Sequence, residues 1–193
     1  MRVGHYLPAY RQTVHVEVAL AMAREASWCA SAGHIHVPFF TDMHGIARSR
    51  NVAVRTAVGA GCDVLLMQDS DTFALPEHGY SAIERLLATM ERESAAVVGA
   101  PYPVRNGQHM CCEPARPDEV YDGEVGTGLM LIDLRRLADL PRPWFVFQDD
   151  GEKVTCGEDI YFCRLVRAAG HRVIVDYTIP TGHAFQITIP SVA

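Results

Sequence analysis

The stretch that decides the fold runs from residue 62 to residue 72 and has the sequence CDVLLMQDSDT. Its first part, from Val64 to Met67, is an uninterrupted apolar run without the alternation of a half-exposed strand. Such runs are typical of strands that are covered on both faces of a parallel sheet. The run stops at Gln68, and two carboxylates, Asp69 and Asp71, follow with one small residue between them.

The position of these two carboxylates predicts a cation site. Ligands of open α/β sheets bind beyond the carboxyl ends of the strands. Two carboxylates a few ångströms apart repel each other unless they hold a cation or share a proton. Hard divalent cations prefer such oxygen ligands. The sequence Asp-Ser-Asp is also common turn and helix-capping chemistry, so the pair by itself leaves a purely structural role open.

Strand and helix patterns alternate through the first half of the chain. Strands are predicted at residues 2–7, 35–40, 64–67, 95–100, 125–132 and 172–176. Helices are predicted at residues 12–32, 46–60, 76–92 and 134–140, with a last helix that ends at Gly170. The stretch 101–122 has no periodicity and is expected to be a loop or a short antiparallel excursion. This order predicts an α/β fold with a mostly parallel sheet and a small antiparallel part.

Several local expectations follow from the same patterns. The first long helix should bury one stripe, made of Val16, Leu20, Ala23 and Ser27. Pro76 suits the first turn of the third helix. The segment Thr155–Glu158 fits a capping box at the start of the last helix. Trp144 and Phe145 are expected in the core rather than in a sugar-stacking platform.

Arginines on the second helix have two open interpretations. At helical spacing Arg48, Asn51 and Arg55 share a face. That face is either solvated, or Arg48 or Arg50 points at a phosphate or a nucleobase.

Composition limits the classes of function. A chain of 193 residues with 49% hydrophobic and 21% charged residues is expected to form one domain, with halves at about 1–100 and 101–193. The net charge of −6 gives no general attraction for nucleic acid or anionic membranes. No apolar run approaches the roughly 20 residues of a membrane span, and the first residues lack a signal-peptide core. A cytoplasmic protein is therefore expected. His109, Cys111 and Cys112 form an alternative zinc set, although they lack the usual two-residue gap.

Four ordered pieces of the chain resemble the GT-A-type nucleotide-sugar glycosyltransferases, close to the family-2 group. They span about residues 46 to 183 and comprise ARSRN at 47–51 with the approach to residue 66, QDSD at 68–71, VGTGLM at 125–130, and CGEDIYFC at 156–163 followed by VIVD at 173–176 and Gly182-His183. The resemblance implies a GT-A-like, Rossmann-like αβα sandwich. It also implies transfer of a sugar from a UDP- or GDP-sugar to an acceptor hydroxyl, with an inverting outcome favoured by the acids after Gly157.

The resemblance also implies metal ligands. Asp71, assisted by Asp69, would hold Mn²⁺ or Mg²⁺ against the donor diphosphate, and His183 would be a third protein ligand. Imidazole favours Mn²⁺ over Mg²⁺ by ligand softness.

The same resemblance implies substrate contacts. Asp159 would be the general base for the acceptor hydroxyl, with Glu158 as its neighbour or substitute. Gly126 and Gly128 would line the sugar site, and the donor would also contact Asp69 and Arg48 or Arg50. Structural roles remain open for the two acids, which are ordinary in the first turn of a helix, and for His183.

The chain departs from the family pattern at its amino-terminal end. It lacks the usual Pro-rich opening, and Asp42 and His44 are the candidates for the acidic uracil-binding position. Two other functions are therefore kept, a nucleotidyltransferase and a non-catalytic module that binds nucleotide-sugars or glycans. The sequence does not identify the acceptor. The negative net charge does not indicate binding of nucleic acid, but a modified base remains among the acceptors considered.

Overall fold

The computed structural model describes residues 1–9, 13–41, 45–75, 79–104, 110–112 and 118–184. Several positions named in the sequence predictions lie outside these ranges, namely Asp42, His44, Pro76 and His109.

The described strands lie in three sheets. In chain order they are β1 (Arg2–Pro8), β2 (Ile35–Thr41), β3 (Val64–Gln68), β4 (Thr72–Ala74), β5 (Val97–Gly99), β6 (Val120–Asp122), β7 (Leu129–Asp133), β8 (Gln148–Asp149), β9 (Val154–Cys156), β10 (Val173–Asp176) and β11 (Thr181–His183). The central sheet has seven strands in the order β2-β1-β3-β7-β5-β10-β6, and β4–β11 and β8–β9 are small two-stranded pairs.

The direction of the strands matches the predicted sheet. Strand β1 runs parallel to β2 and β3, and β5 runs parallel to β10. Strand β7 is antiparallel to both β3 and β5, and β6 is antiparallel to β10. Five of the seven strands therefore point the same way, and the antiparallel strands come from the second half of the chain.

The helices cover both faces of this sheet. They are α1 (Val16–Ser31), α2 (Ile46–Gly59), α3 (Ala82–Arg92) and α4 (Glu158–Ala168), with a 3-10 helix at Leu134–Leu137. Apolar residues of α2 and α4 pack into one core cluster, and those of α1 and α3 pack into the other. The expected αβα sandwich is confirmed.

Strand β3 is buried on both faces, as its sequence predicts. Leu65 and Met67 belong to the cluster under α2 and α4, whereas Val64 and Leu66 belong to the cluster under α1 and α3. All of its residues are buried. An apolar run without alternation is therefore the pattern that this position in the sheet requires.

The predicted buried stripe of α1 is wrong. Val16 and Leu20 are 65% and 59% exposed, and Ala23 and Ser27 are exposed as well. The buried face consists of Val18, Ala21, Glu25 and Cys29. A charged residue lies within it because the Glu25 carboxylate accepts hydrogen bonds from the first residues of α3, including the backbone N–H of Ala82 at 2.8 Å.

Two helix starts differ from the sequence predictions. Gly157 is the N-cap of α4, and Thr155 lies on β9, where its hydroxyl donates to the carbonyl of Gln148 at 3.2 Å instead of capping the helix. Helix α3 begins at Ala82 after the N-cap Ser81, whose hydroxyl accepts from the N–H of Glu84 at 3.2 Å.

The carboxyl-terminal half contains two further differences. Strand β10 is not the last strand, since β11 follows and pairs with β4. The aromatic segment at 144–147, for which the sequence predicts a short strand or a lid, forms no strand, and Trp144 and Phe145 are buried core residues, as predicted.

None of the helices in the described ranges is long and apolar enough to cross a membrane.

Candidate functional site

Strands β4 and β11 bring Asp71 and His183 together. Asp71 immediately precedes β4, and the antiparallel register places His183 opposite Thr72. The Nε2 atom of His183 lies 3.1 Å from Oδ2 of Asp71. The backbone N–H of Ala184 donates to the carbonyl of Asp71 at 2.7 Å. Residues that are more than a hundred positions apart in sequence thus meet at the carboxyl end of β3.

The imidazole of His183 is held at its other nitrogen. Nδ1 lies 2.7 Å from the carbonyl oxygen of Pro103. Because a carbonyl can only accept, Nδ1 donates, and Nε2 is the nitrogen that faces Asp71. Ligating histidines commonly have their second ring N–H fixed in this way.

Asp69 is turned toward a buried arginine. Its Oδ1 lies 3.3 Å from Nη2 of Arg50, and Nη1 of Arg50 pairs with Oε1 of Glu158. Arg50 and Glu158 are 7% and 5% exposed. The backbone N–H of Asp69 donates to the carbonyl of Gly128 at 3.0 Å. Arg50 therefore joins α2, the end of β3 and the start of α4, and its single positive charge is shared between two carboxylates.

The predicted three-ligand metal set is brought together only in part. Asp71 and His183 meet, whereas Asp69 faces Arg50. Among the residues that the structure describes, no group of three His, Cys, Asp or Glu side chains is arranged to hold a metal ion.

Asp159 lies beside the glycine-bearing segment that precedes β7. It is half-buried in the first turn of α4, and its Oδ1 accepts from the N–H of Ile160 at 2.8 Å. A Cβ atom added to Gly126 would lie 3.5 Å from Oδ2 of Asp159 and 2.9 Å from the hydroxyl of Tyr102. Asp159, Gly126 and Tyr102 thus adjoin one another.

The ring of Tyr102 occupies the space that these glycines leave. A Cβ atom at Gly128 would lie 2.6 Å from Cζ of Tyr102, so a larger residue would fit there only if the ring moved. The ring also stands edge-on to the imidazole of His183, with centroids 5.7 Å apart. Burial, and then the nearby Asp69 carboxylate, raise the pKa of Tyr102, which keeps its phenol neutral.

Sequence reasoning missed Tyr102, although a signal was present. Tyr102 follows β5 closely, at the carboxyl end of a strand that is parallel to β10. Residues in that position are candidates for a site in an open α/β sheet.

A buried polar chain supports the loop that carries Asp71. Nε2 of His5 lies 2.8 Å from Oε1 of Gln68, and Nε2 of Gln68 donates to the carbonyl of Thr72 at 2.7 Å. The other nitrogen of His5 lies 3.1 Å from Nε2 of His36. Burial, together with His36, lowers the pKa of His5 to about 3. The folded protein therefore contains His5 with a neutral imidazole.

The two adjacent cysteines of the alternative zinc set lie next to Tyr102. Their sulfur atoms are 3.6 Å apart, and the N–H of Tyr102 donates to Sγ of Cys111 at 3.3 Å. Both are free thiols. The third member of that set, His109, lies outside the described residues, so the zinc alternative stays a prediction.

Arg48 lies away from this cluster. It is exposed and lines a groove together with Asn51 and Arg55, the residues that the sequence places on one face of α2. Arg50, by contrast, is on the buried side of the helix.

Comparisons by sequence find no relative: no family model matches the chain, and no curated protein matches it.

Comparisons of structure find similar folds at low identity. A structure of A197 from STIV is 19% identical, with a TM-score of 0.62 over 96% of this chain and 87% of that one. A putative glucose-1-phosphate thymidylyltransferase from Bacillus anthracis is 10% identical, with a TM-score of 0.50 over 91% and 89% of the two chains. A glycosyltransferase involved in the glycosylation of the major capsid of PBCV-1 is 11% identical, with a TM-score of 0.49 over 97% and 94%. At these identities the likeness shows a shared fold.

Proposed function

We propose that this protein is a metal-dependent glycosyltransferase that moves a sugar from a nucleotide-sugar donor to an acceptor hydroxyl. The observation that carries the proposal is the meeting of Asp71 and His183, 3.1 Å apart, at the end of a buried central strand. A carboxylate and an imidazole whose second nitrogen is already bonded to a carbonyl suit a divalent cation. The nitrogen ligand favours Mn²⁺ over Mg²⁺.

Two protein ligands are enough for a cation of this kind. Nucleotide enzymes commonly hold Mg²⁺ with one or two carboxylates, and substrate phosphates and water complete the coordination. The bound cation would neutralise the charge of the departing nucleoside diphosphate. Asp69, held by Arg50, would bind the cation directly or through water.

Asp159 is the proposed general base. It is half-buried beside Gly126, whereas Glu158 is buried and paired with Arg50. Of the two adjacent acids, Asp159 is thus the one that a substrate can reach. It would accept the proton of the acceptor hydroxyl while that oxygen attacks the sugar and the bond to the diphosphate breaks. A single displacement of this kind inverts the configuration at the sugar carbon.

Gly126, Gly128 and Tyr102 are the residues proposed to contact the sugar of the donor. Because the glycines admit the Tyr102 ring, the ring lies between the proposed base and the imidazole of His183. We propose that the sugar lies against this ring and the backbone of the glycine segment.

The test is a screen of UDP- and GDP-sugars with Mn²⁺ that measures release of nucleoside diphosphate. We expect release with one class of donor, and its loss on removal of the metal by a chelator. Release of pyrophosphate from a nucleoside triphosphate and a sugar phosphate would instead identify a nucleotidyltransferase. Metal-dependent binding without any turnover across donors and acceptors would identify a binding module.

A further inference from the structure

A groove lined by arginines lies on the outer face of α2. It has a volume of about 560 Å³ and is lined by Arg48, Asn51, Arg55, Arg142, Pro143 and Trp144. Small-molecule sites commonly have volumes of about 300–1,000 Å³. The three arginines bring their positive charges together in a chain whose net charge is −6.

The charges of this groove are not neutralised by the protein. Among the residues that the structure describes, no carboxylate lines the groove. Throughout the described ranges, none of Arg48, Arg55 and Arg142 forms an ion pair, whereas other arginines such as Arg164 and Arg172 do. Three uncompensated guanidinium groups around one concavity repel one another, so an anionic ligand would stabilise the arrangement.

Hydrogen bonds and packing hold the wall of the groove in place. The side-chain amide of Asn51 donates to the carbonyl of Phe145 at 2.7 Å, and its oxygen accepts from the N–H of Trp144 at 2.9 Å. The Arg142 guanidinium lies over the Trp144 ring, 4.8 Å from its centroid. Trp144 is 3% exposed, so its ring is a fixed support for that guanidinium.

The groove lies on the opposite side of α2 from Arg50, the residue of this helix that contacts Asp69. At 3.6 residues per turn, Arg48 and Arg55 lie on nearly the same side of the helix, and Arg50 lies roughly 200° away from Arg48. Arg50 is buried against Asp69 and Glu158. Helical spacing predicts that Arg48, Asn51 and Arg55 share a face, and all three line the groove.

We infer that this groove is a binding site for the phosphate groups of a small anionic ligand, separate from the Asp71–His183 site. The guanidinium fork matches phosphate oxygens in a bidentate manner, and charge-assisted hydrogen bonds of this type are stronger than neutral ones. The negative net charge of the chain favours a small ligand over a nucleic acid. The inference does not rest on the proposed function, because the groove contains none of Asp71, His183 and Asp159.

The experiment is calorimetric titration of the full chain with tripolyphosphate in the presence of a chelator, so that no divalent cation contributes. We expect saturable binding that weakens as salt is raised. Arg55→Gln and Arg142→Gln should each lower the affinity about tenfold or more, as the loss of a hydrogen bond to a charged group predicts. Arg92→Gln removes an equal charge from an exposed arginine of α3 and should leave the affinity unchanged.

Three outcomes would overturn the inference. The first is no binding of tripolyphosphate, and the second is equal weakening by Arg55→Gln and Arg92→Gln. The third is tighter binding of a single-stranded oligonucleotide than of tripolyphosphate. Circular dichroism of each variant checks that it is folded. Because the titration contains no divalent cation and no donor, its result is independent of whether the glycosyltransferase proposal holds.

Discussion

At the scale of single residues, Tyr102 links the two halves of the candidate site. Its ring fills the space above Gly126 and Gly128 and stands against the imidazole of His183. The packing of the Tyr102 ring therefore explains why these two positions are glycine, whether or not a ligand binds there. A sugar contact at the same glycines stays a prediction.

Substitution of Gly128 should show this dependence. In Gly128→Ala the new Cβ would lie 2.6 Å from Cζ of Tyr102, so the ring must move. We expect a loss of about 1–3 kcal/mol in the free energy of unfolding, as for other overpacked sites. The double variant Gly128→Ala/Tyr102→Ala should lose less than the sum of the two single variants, with a coupling of about 0.5–3 kcal/mol. Additive losses in urea denaturation would show that the ring does not fill the space.

Replacement of Asp159 tests the proposed base. Asp159→Asn keeps the shape of the side chain and the acceptor oxygen for the N–H of Ile160, but it cannot take a proton. We expect the rate of sugar transfer to fall about 10²–10⁴-fold, with nucleotide binding nearly unchanged. Asp139→Asn, at an exposed position, is the matched control. Equal transfer rates in Asp159→Asn and in the unaltered protein would remove Asp159 from this role.

From the sequence, the polar residues that follow the strands could be predicted better than the side chains with which they pair. Asp71 was a candidate because it follows a buried strand, and His183 was paired with it through the resemblance to the GT-A-type glycosyltransferases. The pairing of Arg50 with both Asp69 and Glu158 could not be predicted, because helical spacing does not say which arginine of α2 faces the sheet. The groove around Arg142 was equally hidden, since it depends on the path of the segment that Asn51 holds.

At the scale of secondary-structure elements, Glu25 ties α1 to the start of α3. Its carboxylate accepts from the hydroxyl of Ser81 and from the N–H groups of Ala82 and Ile83, the latter at 3.0 Å. The unpaired N–H groups of a helix start need such acceptors. The predicted stripe of α1 failed for this reason, since apolar periodicity does not identify a face that buries a carboxylate.

Glu25→Ala should therefore destabilise the protein strongly. It leaves the buried N–H groups of Ala82 and Ile83 without their acceptor, which costs about 1–3 kcal/mol for each unsatisfied group. Glu17→Ala, at an exposed position of the same helix, should change the free energy of unfolding by less than about 0.5 kcal/mol. Urea denaturation measures both variants. Similar midpoints for the two variants would contradict the capping role of Glu25.

At the scale of the whole molecule, the alternation of strand and helix patterns was enough to predict an α/β fold with a mostly parallel sheet, and the family resemblance added the αβα sandwich. The alternation was not enough to place β7, which enters the sheet antiparallel between β3 and β5. An apolar run looks the same in either direction, and its direction depends on how the irregular stretch before it returns to the sheet. The β4–β11 pair was missed because strands of three residues carry almost no periodic signal.

The buried polar chain from His5 to Gln68 should make stability depend on pH. Burial lowers the pKa of His5 from 6.5 to about 3, so the unfolded chain binds more protons between these values. Stability should therefore fall as the pH decreases from about 6.5 toward 3, with a contribution of up to about 1.4 kcal/mol per pH unit. The neutral variant His5→Gln should reduce this slope. Urea denaturation at pH 4.5, 5.5 and 6.5 measures it, with His171→Gln as the control, and an unchanged slope in His5→Gln would contradict the assignment.

The proposed activity depends on a divalent cation that Asp71 and His183 would hold together with a nucleoside diphosphate. The most direct measurement is calorimetric titration of UDP and GDP into the protein with and without Mn²⁺. We expect one of the two nucleotides to bind only with Mn²⁺. The affinity should fall at least about tenfold in both Asp71→Asn and His183→Ala and should not change in Asp139→Asn. Metal-independent binding, or binding that survives both site substitutions at full affinity, would contradict it.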